Sequence, residues 1–279
     1  MTHWRPWLPL CLTLLSGAAA AAEIGVATLV EGDARLLRGS TWYKLSAGVR
    51  VEPGDIVAGF ERTQVQIEFA AGSVANLAGA GLVNLVQPPK DAPLMLVLPN
   101  GWLKVAAKAP GVRVRTGPFD AVVGDAIVLV HAQGASAEVF VESGGAKLIE
   151  LSPAGADGAA RDAKRSEYWS KPASGSFTSV PRAPKVFVDA MPRHFADPLP
   201  AIALKTSARP SLVVDREVTY AEAEVWLGGR DRAAFEKRFA GRLRDPAFRK
   251  AAEPNLAKYP MWDRMLHPEK YEPKPKPAP

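Results

Sequence analysis

The histidines are the first residues to weigh for catalytic or metal-binding chemistry. Beyond residue 22 the chain has three, His131, His194 and His267, and no two of them show the H-x-H or H-x-x-x-H spacing of paired metal ligands. We therefore predict no catalytic, metal-binding or cofactor-binding residue and no enzymatic activity. A hydrolase is the alternative that this pattern leaves open, and it would require His131 to meet Asp120 or Asp125 in a pocket.

A cluster of basic residues near the end of the chain is the strongest candidate for binding. Between residues 230 and 250 there are eight basic and three acidic residues. Arg238, Arg242 and Arg249 are the candidate partner-binding residues, because they could contact an acidic protein or anionic lipid headgroups. The alternative is a solvated helix face with ion pairs between residues one turn apart.

The first 22 residues have the pattern of a secretory signal peptide. Arg5 is their only charged residue, residues 8–15 form an apolar run that contains the only cysteine, Cys11, and residues 20–22 are alanines that precede Glu23. The apolar run is shorter than the roughly 20 residues that a retained membrane anchor needs. We predict a periplasmic protein without a transmembrane segment in its mature chain, and nucleic acid is not an expected partner.

Residues 23–170 are predicted to form a β domain. Glycine recurs every 5 to 12 residues over most of this region and separates short apolar runs. Apolar and polar residues alternate in residues 65–69, and residues 126–130 are continuously apolar, as in strands covered on one face and on both faces. The pattern predicts a β-sandwich, a barrel or a β-helix-like stack. Its core is expected to include Trp42, Val65, Ile67, Phe69 and Val128.

The character of the sequence changes after residue 170. Frequent prolines in residues 171–216 predict an extended segment that lies over the domain surface. Residues 269–279 consist largely of alternating proline and lysine and predict a solvated, polyproline-like tail.

Residues 217–268 are predicted to form a small α-helical region. Thr219 and Glu222 have the spacing of a capping box at the start of one helix. A second helix over residues 231–243 would place Phe235, Phe239 and Leu243 on one apolar stripe. Residues 245–246, an Asp-Pro pair, predict the start of a third, short helix.

A resemblance to a known family rests on an ordered set of residues in the β region. These residues are Gly32, Trp42, Leu45, Gly48, Gly54-Asp55, Val65-Ile67-Phe69, Gly72-Ser73 and Leu77, followed by Gly101, Thr116-Gly117-Pro118, Ala121-Val122-Val123-Gly124 and Val139-Phe140-Val141-Glu142-Ser143-Gly144. On these positions, residues 26–151 resemble the FecR domain, the periplasmic domain of the ferric-citrate signalling regulators.

The resemblance implies a non-enzymatic module that binds a protein and takes part in envelope signalling or scaffolding. Regulators of the full type carry a cytoplasmic sigma-factor-binding segment and a transmembrane helix before this domain, whereas a signal peptide is expected here in their place. Direct anti-sigma activity is therefore not implied, and the expected partner is an envelope or membrane-signalling protein. The alternative is an envelope structural or polysaccharide-binding protein that uses Trp42, Tyr43 and Trp102, and an open groove lined by these aromatic residues would favour it.

Overall fold

The computed structural model describes residues 23–86, 89, 92–152, 157–202 and 210–271. The predicted signal peptide and residues 272–279 of the predicted tail lie outside these residues. Within the described part of the chain, no helix combines the length and the apolar character needed to cross a membrane.

The described residues are mainly β, which confirms the predicted fold class. Their strands are β1 Gly25–Glu31, β2 Ala34–Arg38, β3 Thr41–Lys44, β4 Arg50–Val51, β5 Ile56–Gly59, β6 Gln64–Phe69, β7 Val74–Val86, β8 Leu94–Ala107, β9 Val112–Arg115, β10 Phe119–Val123, β11 Ala126–Gln133, β12 Ser136–Ser143, β13 Gly145–Leu151, β14 Asp157–Lys164, β15 Tyr168–Lys171, β16 Thr178–Val180 and β17 Val213–Glu217. Gly32, Gly48 and Gly72 have φ values of 77°, 92° and 83°, so glycine suits these positions between strands.

The long β7–β8 hairpin belongs to two layers of strands. The first half of β7 pairs with β6 and the second half with β5, whereas the second half of β8 pairs with β11 and the first half pairs in parallel with β9. The first layer has the order β4–β1–β6–β7–β8–β11–β12–β15–β16. The second layer has the order β17–β3–β2–β5–β7–β8–β9–β10–β13–β14.

The side-chain alternation of the strands divides the apolar residues between an inter-layer core and two outer surfaces. Leu36 of β2 lies in the inter-layer core, and Leu37 lies in a second cluster under the helices. The predicted core residues Val65, Ile67, Phe69 and Val128 are all buried in the inter-layer core. Trp42 is also buried as predicted, but it belongs to the second cluster, on the outer surface of the second layer.

The C-terminal helices cover that outer surface. They are α2 Tyr220–Leu227, α3 Arg232–Phe239, α4 Pro246–Ala252 and α5 Pro260–Leu266, with 3-10 helices at Ala240–Arg244, Glu253–Lys258 and Pro268–Lys270. The capping box of Thr219 and Glu222 forms as predicted, and the side chain of Asp245 caps α4. The second predicted helix is shorter than expected, because the α-helix ends at Phe239 and its continuation is a 3-10 helix.

A strap, residues 183–202, covers the outer surface of the first layer. It contains α1 Lys185–Ala190 and a 3-10 helix at Arg193–Ala196, so the predicted segment 171–216 is not extended throughout. Phe187 and Phe195 are buried against the sheet. The buried ammonium of Lys104 donates hydrogen bonds of 2.8 Å to the carbonyl oxygens of Phe195 and Asp197, and these bonds hold the strap in place.

Candidate functional site

An open apolar groove lies between the helices and the strap. Its volume is about 640 Å³, and its floor is formed by β5, β7, β8 and β11. On the helical side it is lined by Trp42, Val225 and Trp226, and on the strap side by Trp102 and His131. The groove is therefore a part of the outer sheet surface that neither covering element closes.

The floor is flat because glycines from neighbouring strands meet there. Gly59 pairs with Gly81, and Gly101 pairs with Ala132. A Cβ atom on Gly101 would lie 2.6 Å from the Cα atom of Gly81, and the φ of Gly101 is +104°. Glycine at residues 81 and 101 therefore lets the two backbones touch and leaves this part of the floor without side chains.

Helix α2 forms one wall. Ala221, Glu222 and Val225 line the groove. The Glu222 carboxylate accepts hydrogen bonds of 2.6 and 2.8 Å from the Arg216 guanidinium and a further bond from the backbone N–H of Thr219. Burial alone would raise the pKa of Glu222, but these hydrogen bonds outweigh it and lower the pKa to about 2, so Glu222 is ionised at neutral pH and its charge is balanced by that of Arg216.

The opposite wall is a stacked pair of rings. Trp102 lies face to face with His131, with ring centroids 4.0 Å apart and an interplanar angle of 8°. His131 Nδ1 is 2.8 Å from a Glu138 oxygen, and Tyr168 donates its hydroxyl hydrogen to the same carboxylate. The hydrogen bond with His131 lowers the pKa of Glu138, so this carboxylate accepts and Nδ1 donates.

The groove also carries polar groups that donate hydrogen bonds and lack partners. Trp42 is 3 % exposed, and its indole N–H has no acceptor but is buried beneath the groove surface, where a ligand cannot reach it. Among the described residues, none accepts a hydrogen bond from the indoles of Trp102 and Trp226 or pairs with the side-chain amides of Asn100 and Gln133, which also line the groove. An indole N–H can only donate, so this surface is suited to a ligand that presents acceptors.

The arrangement that a hydrolase would require is not formed. The buried carboxylate of Asp120 binds Arg115 at 2.9 Å and Arg113 at 3.3 Å, and Asp125 lies 3.7 Å from Lys108 at the surface. His131 is paired with Glu138 instead. The described part of the chain also contains no group of three or more metal-ligating side chains that could hold a metal ion.

The predicted basic site is divided among residues with different roles. Arg238 donates hydrogen bonds to the carbonyl oxygens of Gly39 and Gly54, both at 2.6 Å, and of Leu37 at 2.9 Å. Burial lowers the pKa of Arg238 to about 10, and the guanidinium stays protonated at neutral pH. This side chain thus links α3 to the strand ends of the second layer.

Arg242 and Arg249 complete the predicted set. Arg242 donates to the carbonyl oxygen of Val218 and to the carboxylate of Asp245, both within the chain. Arg249 is exposed on α4, and its side chain makes no hydrogen bond or ion pair with the described residues. Partner binding by these three residues stays a prediction. Of the three, Arg249 is the one whose side chain makes no polar contact with the described residues.

The three aromatic residues named from the sequence are placed differently. Trp42 lies at the edge of the groove with little of its surface exposed, and Trp102 lines the groove with one ring face against His131. Tyr43 is half-buried and packs against the inter-layer core.

The groove floor was not predicted from the sequence, although glycines inside two strand segments indicate it. Residues 78–81 read Ala-Gly-Ala-Gly and residues 100–101 read Asn-Gly, inside segments that are strands. Glycine inside a strand indicates a bulge or a close backbone approach, and here both occur, since the β7–β8 register shifts between Ala78 and Leu82.

Comparison with known proteins assigns the chain to no family. No protein-family model matches it, and no curated protein does. Two crystal structures described as a "putative anti-sigma factor" from Parabacteroides distasonis ATCC 8503 are similar to it at 12 % and 13 % sequence identity, each with a TM-score of 0.40. Each match covers 46 % of this chain and 59 % of the other, so the chain spans less than two thirds of the length of the structures that it matches.

Proposed function

We propose that this chain is an exported, non-enzymatic protein-interaction module of the cell envelope, and that the groove is its binding site for a partner protein. The observation that carries this proposal is the open apolar groove between α2 and the strap, with its flat floor of glycine and alanine. A role in envelope signalling or scaffolding is supported by the resemblance of residues 26–151 to the FecR domain.

The groove walls have apolar surface that a partner could cover. Val225 is 42 % exposed and Phe60 is 37 % exposed, and both line the groove. Covering a large apolar side chain completely contributes about 1.5–3 kcal/mol. The walls are also held in place, by the Arg238 contacts on one side and by the buried Lys104 on the other, so little ordering is needed on binding.

A protein ligand fits the ring geometry better than a polysaccharide does. A sugar ring binds by stacking on a free aromatic face, but Trp102 is stacked on His131 and also contacts Phe187 at a centroid distance of 5.0 Å. Trp42 is almost entirely buried. An apolar peptide segment needs only the floor and the exposed parts of the walls, so we favour a protein partner and keep polysaccharide binding as an outcome of the test.

Export belongs to the same proposal and is tested separately. Residues 20–22 are alanines before Glu23, and cleavage there would give a mature chain that begins two residues before β1. N-terminal sequencing of the protein from the periplasmic fraction is expected to start at Glu23. A start at Met1, or recovery only from the cytoplasm, would contradict export.

Site-specific photo-crosslinking in intact cells tests the groove. A photoreactive residue at position 225 is expected to crosslink to an envelope protein. The matched control places the same residue at position 186, because Val186 is 72 % exposed on the strap and does not line the groove. The Phe60→Glu substitution is expected to abolish the crosslink at position 225.

The outcomes separate the alternatives. Equal crosslinking at positions 225 and 186, or none at 225, would rule out the groove as the partner site. If the purified chain binds envelope polysaccharide and the Phe60→Glu variant does not, the polysaccharide-binding alternative would be supported instead.

A further inference from the structure

The polar groups of the groove point to the chemistry of its ligand. The indoles of Trp102 and Trp226 offer two N–H donors without partners among the described residues, and Asn100 and Gln133 add side-chain amides. The complementary ligand is a peptide that presents carbonyl oxygens and few N–H groups. A polyproline II segment fits this description, because its backbone makes no internal hydrogen bonds and proline has no N–H.

The chain itself contains such a segment. Residues 272–279 read Glu-Pro-Lys-Pro-Lys-Pro-Ala-Pro, with proline at every second position. We propose that this segment of the same chain binds in the groove as a polyproline II helix and competes there with the partner protein. The competition rests on the proposed function, whereas the binding of the segment does not.

The walls of the groove suit proline on physical grounds. Grooves lined by aromatic side chains bind polyproline II segments, which lose little conformational entropy because the conformation is largely preformed. Here Trp102, Phe60 and Trp226 supply the aromatic surface, and the glycine floor leaves space for the rings of proline.

Charge favours the same pairing. Lys274 and Lys276 give the segment two positive charges against the single carboxylate of Glu272. On helix α2, Glu222 is already paired with Arg216, and the exposed carboxylate of Glu224, which accepts a hydrogen bond from the Tyr220 hydroxyl, is the charge available to these lysines. The pairing of opposite charges near the surface is expected to weaken as salt is added.

The segment is long enough to reach the groove within one molecule. It follows Tyr271, whose hydroxyl group donates a hydrogen bond to Asp263 of α5. Helix α5 packs against α3, and α3 packs against α2, which forms the groove wall. Two such steps between packed helices cover about 20 Å. Eight residues of polyproline II extend for about 25 Å, so the C-terminal residues of the segment can reach the groove.

The indole N–H signals in a ¹H–¹⁵N NMR spectrum test the proposal. From Glu23 onward the chain has five tryptophans, and the three that line the groove have no acceptor. The other two serve as internal controls, because the indoles of Trp169 and Trp262 donate to Glu167 and to the carbonyl oxygen of Glu236. Deleting residues 272–279 is expected to shift the signals of Trp42, Trp102 and Trp226 and to leave the two controls unchanged.

Two additions make the result specific. A synthetic peptide of residues 272–279, added to the shortened chain, should restore the original signals, whereas a peptide of the same charge with every proline replaced by alanine should not. The Val225→Glu variant of the complete chain should give the spectrum of the shortened chain, and Val186→Glu should not. Unchanged groove signals on deletion, or equal shifts of all five, would overturn the proposal.

Binding within one chain is separated from binding between copies by dilution. Signals of the complete chain that stay constant on dilution support the proposal, and signals that move toward those of the shortened chain would overturn it in favour of a second copy. Competition is read from the photo-crosslink at position 225, which should become stronger in the shortened chain. Loss of this crosslink in all variants would contradict the partner proposal but leave the NMR result intact.

Discussion

Replacing Arg238 by methionine tests whether this side chain holds the helices on the sheet. Methionine keeps an unbranched apolar stem, which can still pack over Phe239, where the guanidinium carbon lies 5.5 Å from the ring centroid. The substitution removes the charge and the three hydrogen bonds to the carbonyl oxygens of Leu37, Gly39 and Gly54. We expect Arg238→Met to destabilise the attachment of the helical region.

The magnitude follows from the surroundings of the three carbonyl groups. A hydrogen bond from a charged donor contributes about 1.5–3 kcal/mol when water cannot replace it. The bonds to Gly39 and Gly54 lie at the exposed surface, so water can replace the lost donor there, whereas the bond to Leu37 is partly buried. We therefore expect a loss of about 2–4 kcal/mol in the free energy of unfolding, below the sum of three buried bonds.

Equilibrium unfolding in urea, followed by circular dichroism and tryptophan fluorescence, measures this loss. Arg249→Met is the matched control, because Arg249 is exposed and its side chain makes no hydrogen bond or ion pair with the described residues. A surface change of this kind is expected to alter the free energy of unfolding by no more than about 0.5 kcal/mol. If Arg238→Met and Arg249→Met had equal effects, the assignment of Arg238 as the link between α3 and the sheet would be wrong.

Three further predictions concern the core, the groove wall and the groove floor. Ile67→Ala should cost about 2–5 kcal/mol in urea unfolding, because Ile67 is buried between the layers. Glu222 has a folded-state pKa of about 2, below its ordinary value of 4.5, so its contribution to stability is complete above pH 4.5 and is lost as the pH falls toward 2. Between pH 4.5 and pH 2, the free energy of unfolding of the Glu222→Gln variant should therefore fall less steeply than that of the unsubstituted chain, by about 1.2 kcal/mol per pH unit. Gly101→Ala should cost about 2–4 kcal/mol, and more than Gly134→Ala, since both have positive φ but only residue 101 meets a neighbouring backbone.

The β domain could be predicted from the sequence because its signals are local. Alternation in residues 65–69 fixes which side chains of one strand face inward, and Val65, Ile67 and Phe69 follow it. The capping box at Thr219 and the cap at Asp245 are equally local, and both form as predicted. Such patterns do not show which face of a layer a residue lies on, so the sequence predicted that Trp42 is buried but not that it lies under the helices.

The remaining features depend on contacts between residues far apart in the chain. Arg238 bonds to carbonyl groups about 200 residues earlier, and Lys104 bonds to the strap 91 residues later. A basic residue that supports the fold in this way has the same local sequence context as one that binds a partner. Charge reversal of Arg238 would therefore detach helices as well as remove a charge, and Arg249 is the residue at which the predicted electrostatic contact can be tested cleanly.

The groove itself follows from how the two sheet layers are covered. The β7–β8 hairpin belongs to both layers, and each layer has its own cover, the helices over one and the strap over the other. Where the hairpin passes from one layer to the other, Gly81 and Gly101 bring the strands too close for side chains to fill the gap between the covers. The same glycines that allow the hairpin to belong to two layers thus leave an apolar surface open, and a substitution at Gly101 should perturb the fold and the groove together.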